Sequence, residues 1–230
     1  MTIERFLLKN FSVKILSVKC EEKEMRNLVI VGTGGAGKET KWLAERINAV
    51  TPTWNILGFI DVEPGEGVVG DDSYITDTTE DLDVVIAMGS MERRKFLYEL
   101  YKKNPKVHFP NLIDPTAIIS DKVQMGEGNV ICANAILTVD VKIGNQNLIN
   151  FNCTIAHDSV LGDYNTLNPN ANVSGSCTLG NLIEVGTGSQ IVQGKKIGDE
   201  THIWAGSCVI KNTKGRCEVV GVPAKTVLRF

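Results

Sequence analysis

His157 has the clearest capacity for chemistry in this sequence, because a carboxylate residue, Asp158, follows it directly. An imidazole, whose unperturbed pKa is about 6.5, can take a proton from an attacking amine or hydroxyl near neutral pH. The side chain is predicted to reach the surface. His157 lies two residues after Ile155, which is one of the inward aliphatic positions of the six-residue repeat described below, and is not itself at such a position. We therefore predict that His157 is a general base and that Asp158 orients or polarises its ring.

The other two histidines carry weaker signals. His108 precedes Phe109-Pro110 in a connection between domains, and His202 is the first residue of its repeat; both are expected to be structural or solvated. A metal-dependent hydratase of the carbonic-anhydrase type needs about three histidines at one metal. His157 and His202 are 45 residues apart and fall on different levels of the repeat described below. No metal is predicted, and this class remains a minor alternative.

A glycine-rich loop is the second feature with functional potential, and it connects a β-branched segment, 27–31, to a helical stretch, 40–49. Glycines spaced G-x-G-x-x-G at such a position let a pyrophosphate approach the backbone and the free N–H groups of the helix. Asp61 ends the second predicted strand, where a carboxylate that binds a ribose or a base is expected. The predicted nucleotide-binding residues are Gly32, Gly34, Gly35, Gly37 and Asp61. The alternative is a tight turn without a ligand.

Two nucleotide-binding classes fit this loop less well. The P-loop pattern G-x-x-x-x-G-K-[ST] fails at Glu39, because an acidic side chain cannot supply the hydroxyl that binds magnesium. A dinucleotide fold has six strands, and the segment 25–111 has room for about half of them. We therefore predict a mononucleotide-sized ligand and no NAD.

The elements that position the loop form a small α/β unit. Their order, β-α-β-β-α-β, predicts a parallel sheet covered by helices, in a Rossmann-like nucleotide-binding domain over 25–111. The predicted strands are 27–31, 55–60 and 83–88, and the predicted helices are 40–49 and 92–103. Residues 1–24 precede this pattern. They are either an extension of uncertain structure or the product of an upstream start codon, with Met25 as the real beginning.

The C-terminal half is a hexapeptide array. Residues 112–213 divide into seventeen consecutive blocks of six, and the second residue of every block, from Ile113 to Val209, is aliphatic or methionine. An amphipathic α-helix repeats its apolar face every 3.6 residues, so a period of six instead predicts a parallel β-helix with three short strands per 18-residue coil. Gly, Asn and Asp are expected at its turns. Small residues close many blocks and leave room inside a narrow prism: Ala117, Ala135, Ala171, Ser189 and Ser207. A C-terminal tail, 214–230, follows.

These features together resemble a known family. The array, the GxGGxG loop, the G-F-I-D segment at 58–61 and the V-G-V-P-A-K segment at 220–225 are similar to those of the hexapeptide-repeat sugar acetyltransferases. The family is that of the sialic acid O-acetyltransferases and the bacillosamine–perosamine N-acetyltransferases, and the resemblance extends over about residues 25–230. It implies a left-handed β-helix, a homotrimer, and acetyl-CoA bound along the rod between neighbouring subunits. The family carries a histidine and an acidic residue at the point of His157 and Asp158.

The resemblance also implies which residues contact the substrates. The acetyl-CoA contacts are expected on the coils after His157, where small residues let the pantetheine arm lie against the backbone and a donor can stabilise the oxyanion. These residues are Gly175, Gly186, Thr187, Ala205 and Gly206. The glycine loop departs from the family at Ala36, where a histidine that can contact the sugar is usual. A different sugar or a different acceptor group would be a reasonable consequence.

The implied activity is transfer of acetyl from acetyl-CoA to the amine of a nucleotide-linked amino sugar of the UDP-4-amino-sugar type, in surface polysaccharide biosynthesis. One alternative keeps the fold and the base but acetylates a hydroxyl of sialic acid or of another sugar. A second alternative is a nucleotide-sensing or scaffolding trimer without enzymatic activity.

Composition limits the expected partners. The formal charge of -3 gives no reason to expect nucleic acid, and no apolar run reaches the ~18 residues that span a bilayer. The N-terminal residues contain no signal-peptide pattern. The six cysteines are scattered without a CxxC pair, so we expect free thiols in a cytoplasmic protein with neither a membrane nor a nucleic-acid partner.

Overall fold

The computed structural model describes residues 25–229, so Cys20 and the rest of the predicted extension 1–24 lie outside the described residues. The N-terminal part is an α/β unit with a five-stranded sheet in the order β3-β2-β1-β4-β5, and all of its strand pairs are parallel. Its elements are β1 (Arg26–Val31), α1 (Gly35–Val50), β2 (Trp54–Ile60), β3 (Val68–Gly70), α2 (Asp72–Thr76), β4 (Leu82–Ile86), α3 (Met91–Tyr101) and β5 (Val107–His108). The predicted order of strands and helices is confirmed, with the short elements β3 and α2 added.

The sheet places a crevice next to the glycine loop. Strands β1 and β4 are buried apolar segments at the centre of the sheet, and the strand order reverses between them. The carboxyl ends of parallel strands at such a reversal form the usual ligand crevice of open α/β sheets. Helix α1 begins at Gly35, earlier than the predicted stretch, because the later glycines of the loop form its first turn. A Cβ atom on Gly37 would overlap Gly32 O, so only glycine permits this close return of the helix to the strand end.

Each of the seventeen blocks contributes one short strand to a left-handed β-helix with three faces. Face 1 contains β6 (Leu112–Ile113), β9 (Val130–Ile131), β12 (Leu148–Ile149), β15 (Thr166–Leu167), β18 (Glu184–Val185) and β21 (Thr201–Ile203). Face 2 contains β7 (Ile118–Ile119), β10 (Ile136–Leu137), β13 (Thr154–Ile155), β16 (Asn172–Val173), β19 (Gln190–Ile191) and β22 (Cys208–Val209). Face 3 contains β8 (Gln124–Met125), β11 (Lys142–Ile143), β14 (Val160–Leu161), β17 (Thr178–Leu179) and β20 (Lys196–Ile197). Paired residues are 18 apart, as for Leu137 and Ile155, which confirms the predicted coil.

The second residue of each block fills the inside of the prism. On face 2, Leu137, Ile155, Val173 and Ile191 stack on one another and are almost completely buried. Each such side chain contributes about 1.5–3 kcal/mol relative to an exposed one. The small block-closing residues Ala135, Ala171, Ser189 and Ser207 are buried as well, which agrees with the predicted narrow interior.

The corners of the prism are left-handed at every sixth residue from 128 to 206, with φ between +55° and +72°. Most of these residues are Gly, Asn or Asp, as the sequence predicts, but Gln146, Tyr164, Ser176, Leu182 and Glu200 are also there. A left-handed residue with a side chain costs about 1–2 kcal/mol. Tyr164 and Leu182 offset this cost, because their side chains pack against the apolar cluster of the α/β unit.

The α/β unit packs on the early coils of face 1. Leu43 of α1 lies in one apolar cluster with Leu112 and Val130 of the first two coils. Arg46 also crosses this junction and donates two hydrogen bonds to Asp114, from Nε at 2.7 Å and from Nη2 at 3.0 Å. At the other end of face 1, β23 (Cys217–Gly221) extends the face and pairs with β24 (Ala224–Arg229) in a hairpin.

Candidate active site

His157 lies at the corner between face 2 and face 3, and about half of its side chain is exposed. Its Nδ1 is 2.8 Å from Asp158 Oδ2. When Nδ1 carries the proton and donates it to this carboxylate, Nε2 is left with a free lone pair. Asp158 is one of the left-handed corner residues, with φ +59°. The pair therefore presents a proton acceptor at the surface, with its tautomer held by the neighbouring carboxylate.

Gly175 lies one coil beyond His157 at the same corner. A Cβ atom on Gly175 would contact the His157 ring at Nε2, at Cε1 (2.6 Å) and at Cδ2 (2.9 Å). Only a residue without a side chain therefore leaves the imidazole in this position. Among the described residues, the Gly175 N–H donates no hydrogen bond to a protein acceptor, whereas the next residue, Ser176, donates to His157 O. A free backbone donor thus lies one coil away from the proton acceptor.

The other residues predicted to contact acetyl-CoA lie at a different corner, between face 1 and face 2. Gly186 N donates to Ile203 O and Gly206 N donates to Thr187 O, and Ala205 follows Thr187 by one coil. The structure therefore does not gather the five predicted residues at one corner of a single chain. They lie along the two edges of face 2.

The glycine loop leaves space and free donors at the carboxyl end of β1. Gly34 is the N-cap of α1 and makes no side-chain cap, whereas α2 and α3 are capped by Asp71 and Ser90. No atom lies within 4 Å of a Cβ built on Gly34 or Gly35. The first-turn N–H groups of an uncapped helix attract an anion such as a phosphate.

Asp61 is placed beside this loop, but it is partly used by the protein itself. Its Oδ2 accepts hydrogen bonds from Thr33 Oγ1 at 2.7 Å and from Thr33 N at 3.1 Å. The hydrogen bond from the Thr33 hydroxyl is the main reason that the pKa of Asp61 lies below its usual value. Asp61 therefore braces the glycine loop, and its Oδ1, which accepts a long bond from Glu63 N at 3.4 Å, is the oxygen that the protein uses less.

An open cleft of about 640 Å³ lies between the glycine loop, at Thr33, and the segment 63–68 that follows Asp61. Two cations on α1, Lys38 and Lys41, line it together with the aromatic rings of Trp42 and Phe59. Three carboxylates, Glu45, Glu63 and Glu66, line it as well, and Glu45 lies 4.0 Å from Lys41 Nζ. The sequence prediction did not include these lysines. Their spacing of three residues on a helix that begins at the glycine loop is the signal that points to them, because such residues share one helix face.

Ala36 faces a small enclosed cavity of about 30 Å³ between the glycine loop and face 1. Thr40, Met88, Arg94 and Asn150 also line the cavity. The methyl group of Ala36 leaves this space open at the position where the sequence departs from the resembled family.

The remaining histidines are also paired with carboxylates. His202 Nδ1 is 3.0 Å from Glu184 Oε2 on face 1, and His108 Nε2 is 3.2 Å from Asp81 Oδ1 in the α/β unit. His202 and Glu184 line a cleft of about 920 Å³ between α3 and face 1. Residues 25–229 contain no group of three or more His, Cys, Asp or Glu side chains arranged to hold a metal ion. Within the same range, no helix is long and apolar enough to cross a membrane.

Comparisons with known proteins agree with this geometry. Residues 27–101 match the PglD N-terminal domain family, and a search of curated proteins found no match. The acetyltransferase domain of PglB from Neisseria gonorrhoeae FA1090, in complex with acetyl coenzyme A, superposes with a TM-score of 0.80 at 26% identity, over 89% of this chain and 100% of that one. PerB from Caulobacter crescentus, in complex with CoA and GDP-perosamine, superposes with a TM-score of 0.81 at 28% identity, over 89% of this chain and 98% of that one.

A third similar structure is WeeI from Acinetobacter baumannii AYE, with a TM-score of 0.78 at 28% identity over 89% of this chain and 100% of that one. The similarity thus covers the α/β unit and the β-helix together, in the same order. Over both of its parts, the chain is therefore similar to acetyltransferases with a hexapeptide-repeat fold, among them the PglB domain and PerB.

Proposed function

We propose that this protein transfers the acetyl group of acetyl-CoA to the amine of a nucleotide-linked amino sugar, with His157 as the general base. The observation that carries the proposal is the His157–Asp158 pair, whose free Nε2 lies against Gly175. The relative that holds CoA together with GDP-perosamine supports this choice of donor and acceptor.

The chemistry follows from the residues at this corner. The amine nitrogen attacks the thioester carbonyl carbon while Nε2 of His157 takes its proton. The Gly175 N–H is placed to donate to the carbonyl oxygen as it becomes negative. The C–S bond then breaks, the imidazolium returns the proton to the leaving thiolate, and the products are the amide and CoA. Asp158 stabilises the imidazolium during the reaction.

The acceptor's nucleotide is assigned to the glycine loop. The free N–H groups at the start of α1 and the side chains of Lys38 and Lys41 suit a diphosphate, and Asp61 Oδ1 is available to a ribose or base hydroxyl. A UDP-linked 4-amino sugar is the first candidate from the sequence, and the relative with GDP-perosamine makes a GDP-linked sugar the second. The cavity at Ala36 favours an acceptor that differs from those of glycine loops with a histidine.

We also propose a homotrimer with composite sites. The α/β unit covers face 1, and His157 lies at the corner opposite this face, so the prism separates the glycine loop from the base within one chain. An acceptor held by one copy therefore meets His157 of another copy. The same arrangement brings the two edges of face 2, which carry the predicted acetyl-CoA residues, together between copies. The five cysteines of the described residues are free thiols, in keeping with a cytoplasmic enzyme.

Thiol release from acetyl-CoA with a panel of acceptors tests the activity. The panel contains UDP- and GDP-linked 4-amino sugars, the corresponding hydroxy sugars, and sialic acid. We expect release with an amino sugar, and a loss of about 10²–10⁴-fold in His157→Ala, which is the usual contribution of a general base. His108→Ala is the matched control, because His108 is equally exposed and is also paired with an aspartate. Release with sialic acid alone would favour O-acetylation, and no release with any acceptor would favour the non-enzymatic alternative.

A further inference from the structure

Arg94 is a charged residue in the interior of the protein, on the side of α3 that faces the β-helix. Its side chain is almost completely buried, which is rare for an arginine that lacks a carboxylate partner. Among residues 25–229, no Asp or Glu oxygen lies within 4 Å of its guanidinium. Burial lowers the pKa of Arg94 to about 10, so the group remains charged at neutral pH.

The guanidinium is held by neutral oxygens from two parts of the chain. Nη1 donates to Met88 O at 2.8 Å, two residues after the end of β4. Nε donates to Gln146 O at 2.9 Å, and Nη2 donates to Tyr164 O at 2.9 Å, on the next coil. Nη2 also lies within hydrogen-bond distance of Asn165 O and Thr166 Oγ1. One planar fork thus joins the end of β4 to two successive coils of the β-helix.

The end of β4 is in turn in contact with the glycine loop. Ala87 N donates to Val31 O, the last residue of β1, at 3.0 Å. A Cβ atom on Gly32 would be 3.2 Å from Ala87 O and 3.2 Å from Met88 Cε, so the loop begins directly against this segment. Any displacement of Met88 relative to the prism therefore displaces the start of the glycine loop.

Arg94 also affects the electrostatics of the crevice. Its charge forms no ion pair with an acidic side chain of residues 25–229, although Glu92 acts on it at longer range, and it lies at the carboxyl ends of β1 and β4, beside the uncapped start of α1. A positive potential at this point favours an anionic ligand over a neutral one. The geometry and the charge thus act on the same ligand, the diphosphate of the acceptor.

We infer that Arg94 is a positioning residue for the acceptor, which fixes the glycine loop at one place on the β-helix and thereby places the nucleotide for transfer. The inference rests on the proposed function, because it assigns the acceptor to this loop. Arg94 acts through Met88 and the loop rather than by touching the substrate. Acetyl-CoA, which is assigned to face 2, is independent of this link.

The test compares two arginines that both join the α/β unit to the β-helix. Arg94→Lys keeps the positive charge but loses the planar fork. Arg46→Lys makes the same chemical change at the Arg46–Asp114 pair, which does not contact the loop after β4. Steady-state kinetics of the intact enzyme give KM for each substrate, and calorimetry with UDP and GDP gives nucleotide binding without catalysis.

We expect Arg94→Lys to raise KM for the nucleotide sugar and Kd for the nucleotide at least 10-fold, with KM for acetyl-CoA changed less than 2-fold. Arg46→Lys should leave all three values within 2-fold of wild type. Unchanged nucleotide binding in Arg94→Lys, or an equal rise of both KM values, would overturn the inference. If Arg94→Lys does not fold, Thr166→Val replaces it, because this variant removes one hydrogen-bond acceptor of the Arg94 guanidinium. A rise in KM for the nucleotide sugar and in Kd for the nucleotide, without a rise in KM for acetyl-CoA, supports the inference. Unchanged values contradict it. An inactive wild type would instead refute the proposed function.

Discussion

At the scale of single residues, the candidate site depends on a glycine as much as on a histidine. His157 has a carboxylate neighbour in sequence, so its orientation needs no distant residue. Its position, in contrast, depends on Gly175, whose missing side chain leaves room for the ring and whose N–H is free. The two residues are 18 apart, which is one coil, and the repeat length therefore identifies the contact.

Gly175→Ala tests this dependence. The added Cβ would overlap three atoms of the imidazole, so the ring must move by about 1 Å, and a displacement of that size costs on the order of 10²-fold in rate. We expect kcat to fall by about this factor while the melting temperature and the Kd for UDP or GDP stay near the wild-type values. Wild-type turnover in Gly175→Ala would show that the ring does not react from the position seen here.

At the scale of elements, the repeat was predictable and the junctions were not. Each inward residue of the β-helix is determined by neighbours 6 and 18 positions away, so the hexapeptide pattern alone predicts its core. The same spacing links Glu184 to His202, a pair that the sequence interpretation did not identify. Tyr164 and Leu182 occupy left-handed corners of the prism, and their packing against the α/β unit offsets the backbone cost through a contact that no local pattern encodes.

Arg94 illustrates the same limit for the candidate site. Its acceptors are mostly backbone carbonyls 52 to 71 residues away in sequence. Every residue has a carbonyl, so the sequence carries no mark of this interaction. The Thr33–Asp61 bond is another case, because sequence position alone predicted a ligand contact where the protein also uses the carboxylate.

The junction between α1 and the first coils makes a prediction about stability. Burial opposes ionisation of Asp114, but the hydrogen bonds from Arg46 and Thr116 outweigh it and lower the pKa of Asp114 to about 2. A carboxyl group whose pKa is lower in the folded state stabilises the fold above its unfolded pKa, about 3.9, and this contribution is lost as the pH falls towards 2.

Asp114→Asn should therefore destabilise the protein by about 2 kcal/mol at pH 7, and the difference from wild type should shrink between pH 4 and pH 2. Urea denaturation of both proteins at pH 7, 4 and 2.5 measures it. A difference that stays constant across this range would mean that the ionised carboxylate is not the stabilising species.

At the scale of the whole molecule, the proposed acceptor loop and the proposed base lie on opposite sides of one prism. The glycine loop belongs to the unit on face 1, and His157 lies at the corner between face 2 and face 3. With the acceptor at this loop and His157 as the base, as proposed above, a single copy does not bring its own acceptor to its own base. We propose that acetyl transfer occurs at a composite site, with His157 from one copy and the nucleotide-binding loop from another.

Hybrid oligomers made from two inactive variants test whether the site is composite. His157→Ala lacks the base, and Gly35→Trp fills the open space of the glycine loop; each variant alone should be inactive. Co-expression with two different tags and purification through both isolates hybrid oligomers. In a cyclic trimer that contains both variants, one of the three composite sites combines an intact loop with an intact base, so we expect the hybrids to recover about a third of the wild-type rate. Hybrids as inactive as their parents would contradict the account.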